Sequence, residues 1–214
     1  MTDFQEFASK SMLWAEGLAA FVGLLYYNRI RKEYWKFFVF FLVFIFLSEA
    51  YGRWGKFAYF SKAYFYNYFL MPIQFIFFYW LYAAKSLGKP KLFYGLSLLY
   101  LLSFIPNELY FSGNKIVFAF NYTFGCLILM LLVVMEYYKQ INSQDILHFN
   151  KNRMFYINLG ITLSYIGTLP FMAFYSILLN YMEIWDIYFS YFLMSGVVMY
   201  ILFASSFIWG KQSS

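Results

Sequence analysis

Three carboxylates interrupt long apolar runs and set the chemistry open to this chain. Glu16 stands inside LWAEGLAAFVGLL, Glu49 ends FFVFFLVFIFLSEAYGR, and Glu108 follows a proline in LSFIPNELY. Arg53 lies one turn beyond Glu49 on the same helix face. Asn67 and Gln74, seven residues apart in NYFLMPIQ, share a helix face by spacing, while Asn107 adjoins Glu108 and Asn121 opens NYTFG. Carboxylates in apolar surroundings can carry protons or cations, serve as an acid–base pair on a lipid substrate, or help enclose a polar ligand. Tyr51, Tyr66, Tyr68, Tyr110 and Tyr122 stand at similar positions along their segments and can donate to them.

Several other chemistries lack their residues. The one histidine, His148, falls in a polar stretch, so neither a haem pair, a zinc site of about three ligands, nor a serine–histidine nucleophile can be assembled. The last apolar run has no lysine for a Schiff base, and no glycine-rich phosphate loop occurs. No cofactor is expected. The single cysteine, Cys126, falls within an apolar run and cannot form an internal disulfide.

The solvent around these groups follows from composition. The chain has 214 residues, of which 63% are hydrophobic and 12% charged. A soluble surface needs roughly a quarter charged residues, so most of this one must face lipid. The opening MTDFQEFASK has neither a basic region nor a small-residue cleavage site, and a signal peptide is not expected. The chain reads as a single all-α polytopic membrane domain, 1–214, with apolar runs near 11–29, 35–53, 64–84, 92–110, 116–138, 154–179 and 185–208. Seven transmembrane helices are expected. The fourth is the weakest, because Pro106, Asn107 and Glu108 arrive early. The longest connection is the polar stretch 139–153.

With the N-terminus outside and the C-terminus cytoplasmic, the inner side carries eleven basic residues against three acidic ones, and the outer side five against seven. The net charge of +6 therefore reflects topology and anionic lipid, and no direct nucleic-acid contact is expected. Trp14, Trp35, Trp54, Trp185 and Trp209 fall near span ends as interfacial anchors. Abundant Phe, Tyr, Lys and Asn suggest an AT-rich bacterial genome and hence a bacterial inner membrane. Comparing 11–84 with 116–208 gives no transporter-like repeat.

In this topology all the polar residues named at the outset except Gln74 gather in the outer half of the bundle. Two readings follow. Glu49 and Arg53 form a headgroup-level pair while the others bond helix to helix, or the residues enclose a ligand pocket. Small residues recur every four positions at Ala15, Ala19 and Gly23, and again at Gly160, Ser164 and Thr168, which allows close helix packing. Pro72, Pro106 and Pro170 should kink the third, fourth and sixth spans. Asn158 is expected to hydrogen-bond between helices.

The segments FYINLGITLSYIGTLPFMAFY and NYFLMPIQFIFFYWLY resemble small seven-span membrane proteins of Bacteroidetes. The resemblance implies the same topology and a bacterial source, and brings no activity or site residue with it. Function divides three ways. The first is a non-enzymatic sensor, regulatory or accessory subunit, such as one of a bacterial defence or secretion system. The second is an ion or small-molecule channel or transporter using Glu16, Glu49 and Glu108, and the third a carboxylate-dependent lipid-modifying enzyme. Short connections leave no room for an output domain, so a sensor would act through a protein partner or a second copy at the basic stretches 29–36, 85–91 and 139–153.

Overall fold

The computed structural model describes residues 2–57, 61–110, 120–143 and 149–210, with only the backbone of Asn107, Tyr110, Tyr175 and Ser176; His148 lies outside them. Helix α1 (Asp3–Leu25) is followed by the short α2 (Tyr27–Ile30) and by α3 (Trp35–Trp54). A third rod joins α4 (Lys62–Phe65) to α5 (Met71–Tyr79) through a π-helical segment, Tyr66–Leu70, and ends in another, Trp80–Ser86. Next come α6 (Pro90–Leu102), α7 (Phe104–Tyr110) and α8 (Phe120–Ile141). The sixth rod runs from α9 (Arg153–Ile161) through the π-helical segment Thr162–Ile166 into α10 (Leu169–Ala173) and α11 (Tyr175–Leu178), before α12 (Met182–Ile208). The fold is all-α, with no strand among the described residues. Trp35–Trp54, Phe120–Ile141, Arg153–Ala173 and Met182–Ile208 are long and apolar enough to cross a membrane.

Helix α1 starts well ahead of the apolar run that opens at residue 11. Thr2 and Gln5 form a reciprocal capping box, and Asp3 and Glu6 in the first turn suit the positive end of the helix dipole. Fully buried Gln5 donates through Nε2 to Asp186 Oδ1 at 3.0 Å, which ties this polar turn to the start of α12.

Small residues let the helices close up, as their spacing predicts. A Cβ on Gly23 would lie 3.2 Å from Phe207 and 3.3 Å from Val39, so α1 wedges between α12 and α3. One on Gly160 would meet the Met199 backbone at 3.3 Å. Each in-span proline follows a disturbed turn, because its ring cannot donate to the carbonyl four residues back and crowds it. Pro72 follows the π segment Tyr66–Leu70, Pro106 the break at Ser103, and Pro170 the π segment Thr162–Ile166. Ser103 Oγ donates to the Tyr100 carbonyl at 2.6 Å, and Thr168 Oγ1 to that of Ser164.

A buried cation ties together the end of the bundle opposite the start of α1. Arg153 is 2% exposed. Its Nη1 donates to Glu33 Oε2 at 3.1 Å, and its Nε and Nη2 to the carbonyls of Ser206 at 3.3 Å and Gly210 at 3.1 Å. The guanidinium also lies 5.0 Å from the Trp35 ring centroid. One side chain thus links the turn before α3, the start of α9 and the last turn of α12. Nearby, Tyr34 outside the apolar run is held up to about 12, chiefly by burial and secondarily by Glu136.

Breaking this latch should be costly. Arg153→Ala is expected to destabilise the protein by about 3–5 kcal/mol, because it removes the donor shared by Glu33 and the carbonyls of Ser206 and Gly210. Glu33, 31% exposed in its side chain, should cost less when changed to Ala. Melting of the two single variants and the double variant in detergent would check this, with the double losing less than the singles combined.

Candidate functional site

At the end where α1 begins, a cavity of about 570 Å³ opens between α1, α3, the third and sixth rods and α12. Glu16 and Glu49 line it, as do Gln74 and Arg53. Half of the lining residues on the third and sixth rods come from their π-helical segments: Tyr66 and Leu70 from one, Ser164 and Tyr165 from the other. Such widened turns re-aim side chains away from the regular helical register and recur at functional positions.

Glu16 is 2% exposed, and its Oε2 has no hydrogen-bond partner. Tyr200 of α12 stands beside it in the wall. Half-buried Glu49 accepts a hydrogen bond from Tyr66 Oη at 2.6 Å. This corrects the expected partnership with Arg53. Exposed Arg53 turns instead to α1, donating through Nη2 to the Ser9 carbonyl at 2.9 Å and Ser9 Oγ at 3.1 Å. A four-residue spacing permits an ion pair but does not compel one when a tyrosine can approach a carboxylate more closely. Gly52 makes that approach possible, because any Cβ there would collide with the Tyr66 hydroxyl.

Gln74 Oε1 accepts from Tyr165 Oη at 3.2 Å inside the cavity. Asn67 does not line it. The seven-residue rule fails because Asn67 itself sits in the π segment Tyr66–Leu70, whose wider turn rotates it relative to Gln74. Glu108 is exposed and accepts from Tyr68, joining the third rod to α7 away from the cavity. Buried Asn121 is also outside the lining, and its Oδ1 accepts from the Tyr122 backbone N–H at 3.1 Å. The Asn107 side chain lies outside the described residues. Asn158 is fully buried, but neither of its amide atoms has a partner, so the expected interhelical bond is absent among the described residues.

The residues that sequence reading passed over are Lys62 and the tyrosines of the last two rods. Lys62 stands at the mouth, 5.9 Å from the Tyr66 ring centroid. Tyr165 and Tyr200 line the wall beside Tyr122 of α8, which the sequence had already offered as a donor. Nothing distinguished Tyr165 and Tyr200 among 23 tyrosines, because their role depends on how the rods face one another.

Behind Tyr165 of the cavity wall lies an aromatic layer. Tyr165 meets Phe75 and Phe78 with centroids 5.8 and 5.7 Å apart, and Phe78 meets Phe203 at 6.3 Å. Phe203 in turn meets Phe38 at 5.2 Å. All four phenylalanines are at most 1% exposed. Among the described residues no three His, Cys, Asp or Glu side chains gather as a metal ion would require.

These features define an all-α bundle, four of whose helices are long and apolar enough to cross a membrane, with a cavity at one end that sets charged and polar side chains among apolar ones. No protein-family model, curated protein or solved structure matches the chain.

Gly52→Ala should displace Tyr66 from Glu49 and cost about 1–3 kcal/mol by overpacking. Adding Tyr66→Phe, which removes the colliding hydroxyl, should recover most of that loss. A melting series of the two singles and the double would check the coupling.

Proposed function

We propose that this protein is a seven-span bacterial inner-membrane protein, N-terminus outside, whose cavity binds a polar ligand for a non-enzymatic sensor, regulatory or accessory role. The observation that carries the reading is the cavity: a buried carboxylate, Glu16, with one oxygen lacking a hydrogen-bond partner, stands in its wall, and an aromatic layer packs behind that wall. A conduit needs a polar route through the bundle, and this layer interrupts it. Seven crossings are supported by helix in every apolar run, and the excess of basic residues supports the orientation. The third rod scores low in hydropathy because it is rich in tyrosine, a residue that suits membrane interfaces.

Ligand occupancy has a mechanical route to the opposite end. Ser164 and Tyr165 line the cavity from the π segment of the sixth rod, and Arg153 anchors the base of that rod to α12 and Glu33. A shift in the π register would change strain at the Arg153 latch. A partner protein, or a second copy of this chain, would read that end through its basic segments.

Purified protein in liposomes is expected to give no ion or proton flux above empty vesicles at either polarity. Sustained flux abolished by Glu16→Gln would overturn the binding-module reading in favour of a channel or transporter. A reporter fused after residue 214 should be active in the cytoplasm, and periplasmic activity would overturn the topology.

A further inference from the structure

The charges around the cavity are not mixed at random. Arg53 and Lys62, both exposed, stand at its mouth, while Glu16 is buried in its wall and Glu49 lies about one helical turn, some 6 Å, inward of Arg53. The four formal charges cancel, leaving a cavity positive at the rim and negative within. A simple cation would have to pass two positive groups to reach the carboxylates, and a simple anion would be repelled by them once inside. A molecule carrying both charges, ammonium inward and anion outward, complements both levels. Glu16 Oε2, which lacks a hydrogen-bond donor, supplies the inner contact. Tyr165 and Tyr200, which line the same cavity, are rings of the kind that attract an ammonium group.

We propose that the cavity binds a zwitterion whose ammonium is held by Glu16 and Glu49 and whose phosphate or carboxylate is held by Arg53 and Lys62. The inference rests on the binding-module reading and supplies its ligand class. The chemistry has two sources, a free zwitterion or the headgroup of an aminophospholipid. The second is structurally accessible. An apolar groove on the other side of the α1–α3 seam, lined by Trp14, Leu18, Phe21 and Phe46, shares Leu13 and Arg53 with the cavity. A lipid chain lying there would bring its headgroup to Arg53.

The test uses the full chain in phosphatidylglycerol nanodiscs, whose headgroup carries no ammonium, titrated calorimetrically with O-phosphoethanolamine, ethylamine and inorganic phosphate. Phosphoethanolamine should bind at least tenfold more tightly than either half-molecule. Glu16→Gln, which keeps the side-chain shape and removes a buried charge, should weaken it at least tenfold without weakening phosphate binding. Lys62→Gln should weaken both phosphoethanolamine and phosphate. Repeating the titration in phosphatidylethanolamine nanodiscs separates the sources: a lost signal, with that lipid co-purifying, assigns the site to the lipid headgroup, and an unchanged signal assigns it to the free zwitterion. Ethylamine binding as tightly as phosphoethanolamine, or indifference to Glu16→Gln, would overturn the zwitterion proposal and leave a ligand cavity standing. No heat with any probe and no aminophospholipid co-purifying would overturn the zwitterion proposal; liposome flux dependent on Glu16 would remove the binding-module reading as well.

Discussion

The close approach of α1 to α3 and α12 is the constraint on which the rest of the structure depends. Lipid tails are as apolar as leucine, so helices in a bilayer associate through packing and hydrogen bonds instead of flight from water. Ala19, fully buried, and Gly23, with room for little more than its own hydrogen, let α1 settle into the seam between its neighbours. Ala15 and Glu16 belong to the same inward face of that helix. Packing therefore carries the carboxylate into the interior, and the cavity wall is what keeps it from being sealed in hydrocarbon, where an unpartnered charge would be costly.

From that seam the bundle separates into two polar levels. At one end are Glu16, Glu49 and the tyrosines of the cavity; at the other, Arg153 with Glu33, and Glu136 accepting from Ser86 Oγ at 2.7 Å. Phe38, Phe78 and Phe203 fill the space between, joined to a further stack of Phe41 on Phe77 with centroids 3.9 Å apart. Offset and edge-on ring contacts of this kind add about 0.5–1.5 kcal/mol each beyond area burial. The layer both stabilises the bundle and insulates one polar level from the other. Two rods cross it with π-helical segments that feed the cavity, so the same disturbed turns that accommodate Pro72 and Pro170 also supply Tyr66, Ser164 and Tyr165.

Much of this was legible in the sequence because membrane helices announce themselves by length and apolar content. The apolar runs, the small-residue stripes and the prolines all rest on local rules, and among the described residues helix is found in each run. Glu16, Glu49, Arg53 and Gln74 converge on the cavity, whereas Asn67, Glu108 and Asn121 are not part of its lining. Asn67 was misplaced because a π segment breaks the 3.6-residue period invisibly in one-letter code. Arg53 was misassigned because its partner, Ser9, is distant in sequence. Arg153 looked like one more basic loop residue, and its burial depends on where α12 ends. Local periodicity is written in the chain, but which rod faces which is decided by packing across it.

The central claim is a cavity entered from one end only and closed by aromatic rings at the other. Site-directed labelling of Ser164→Cys with a membrane-impermeant thiol reagent tests it most directly. Ser164 is 8% exposed and lines the cavity, while the native Cys126 is fully buried and serves as an internal control. Exposed Lys10→Cys marks the face at which α1 begins. Reaction of Ser164→Cys from the same face as Lys10→Cys, with Cys126 silent, is the result expected. Labelling from the opposite face, or none at all while Lys10→Cys reacts, would contradict the account.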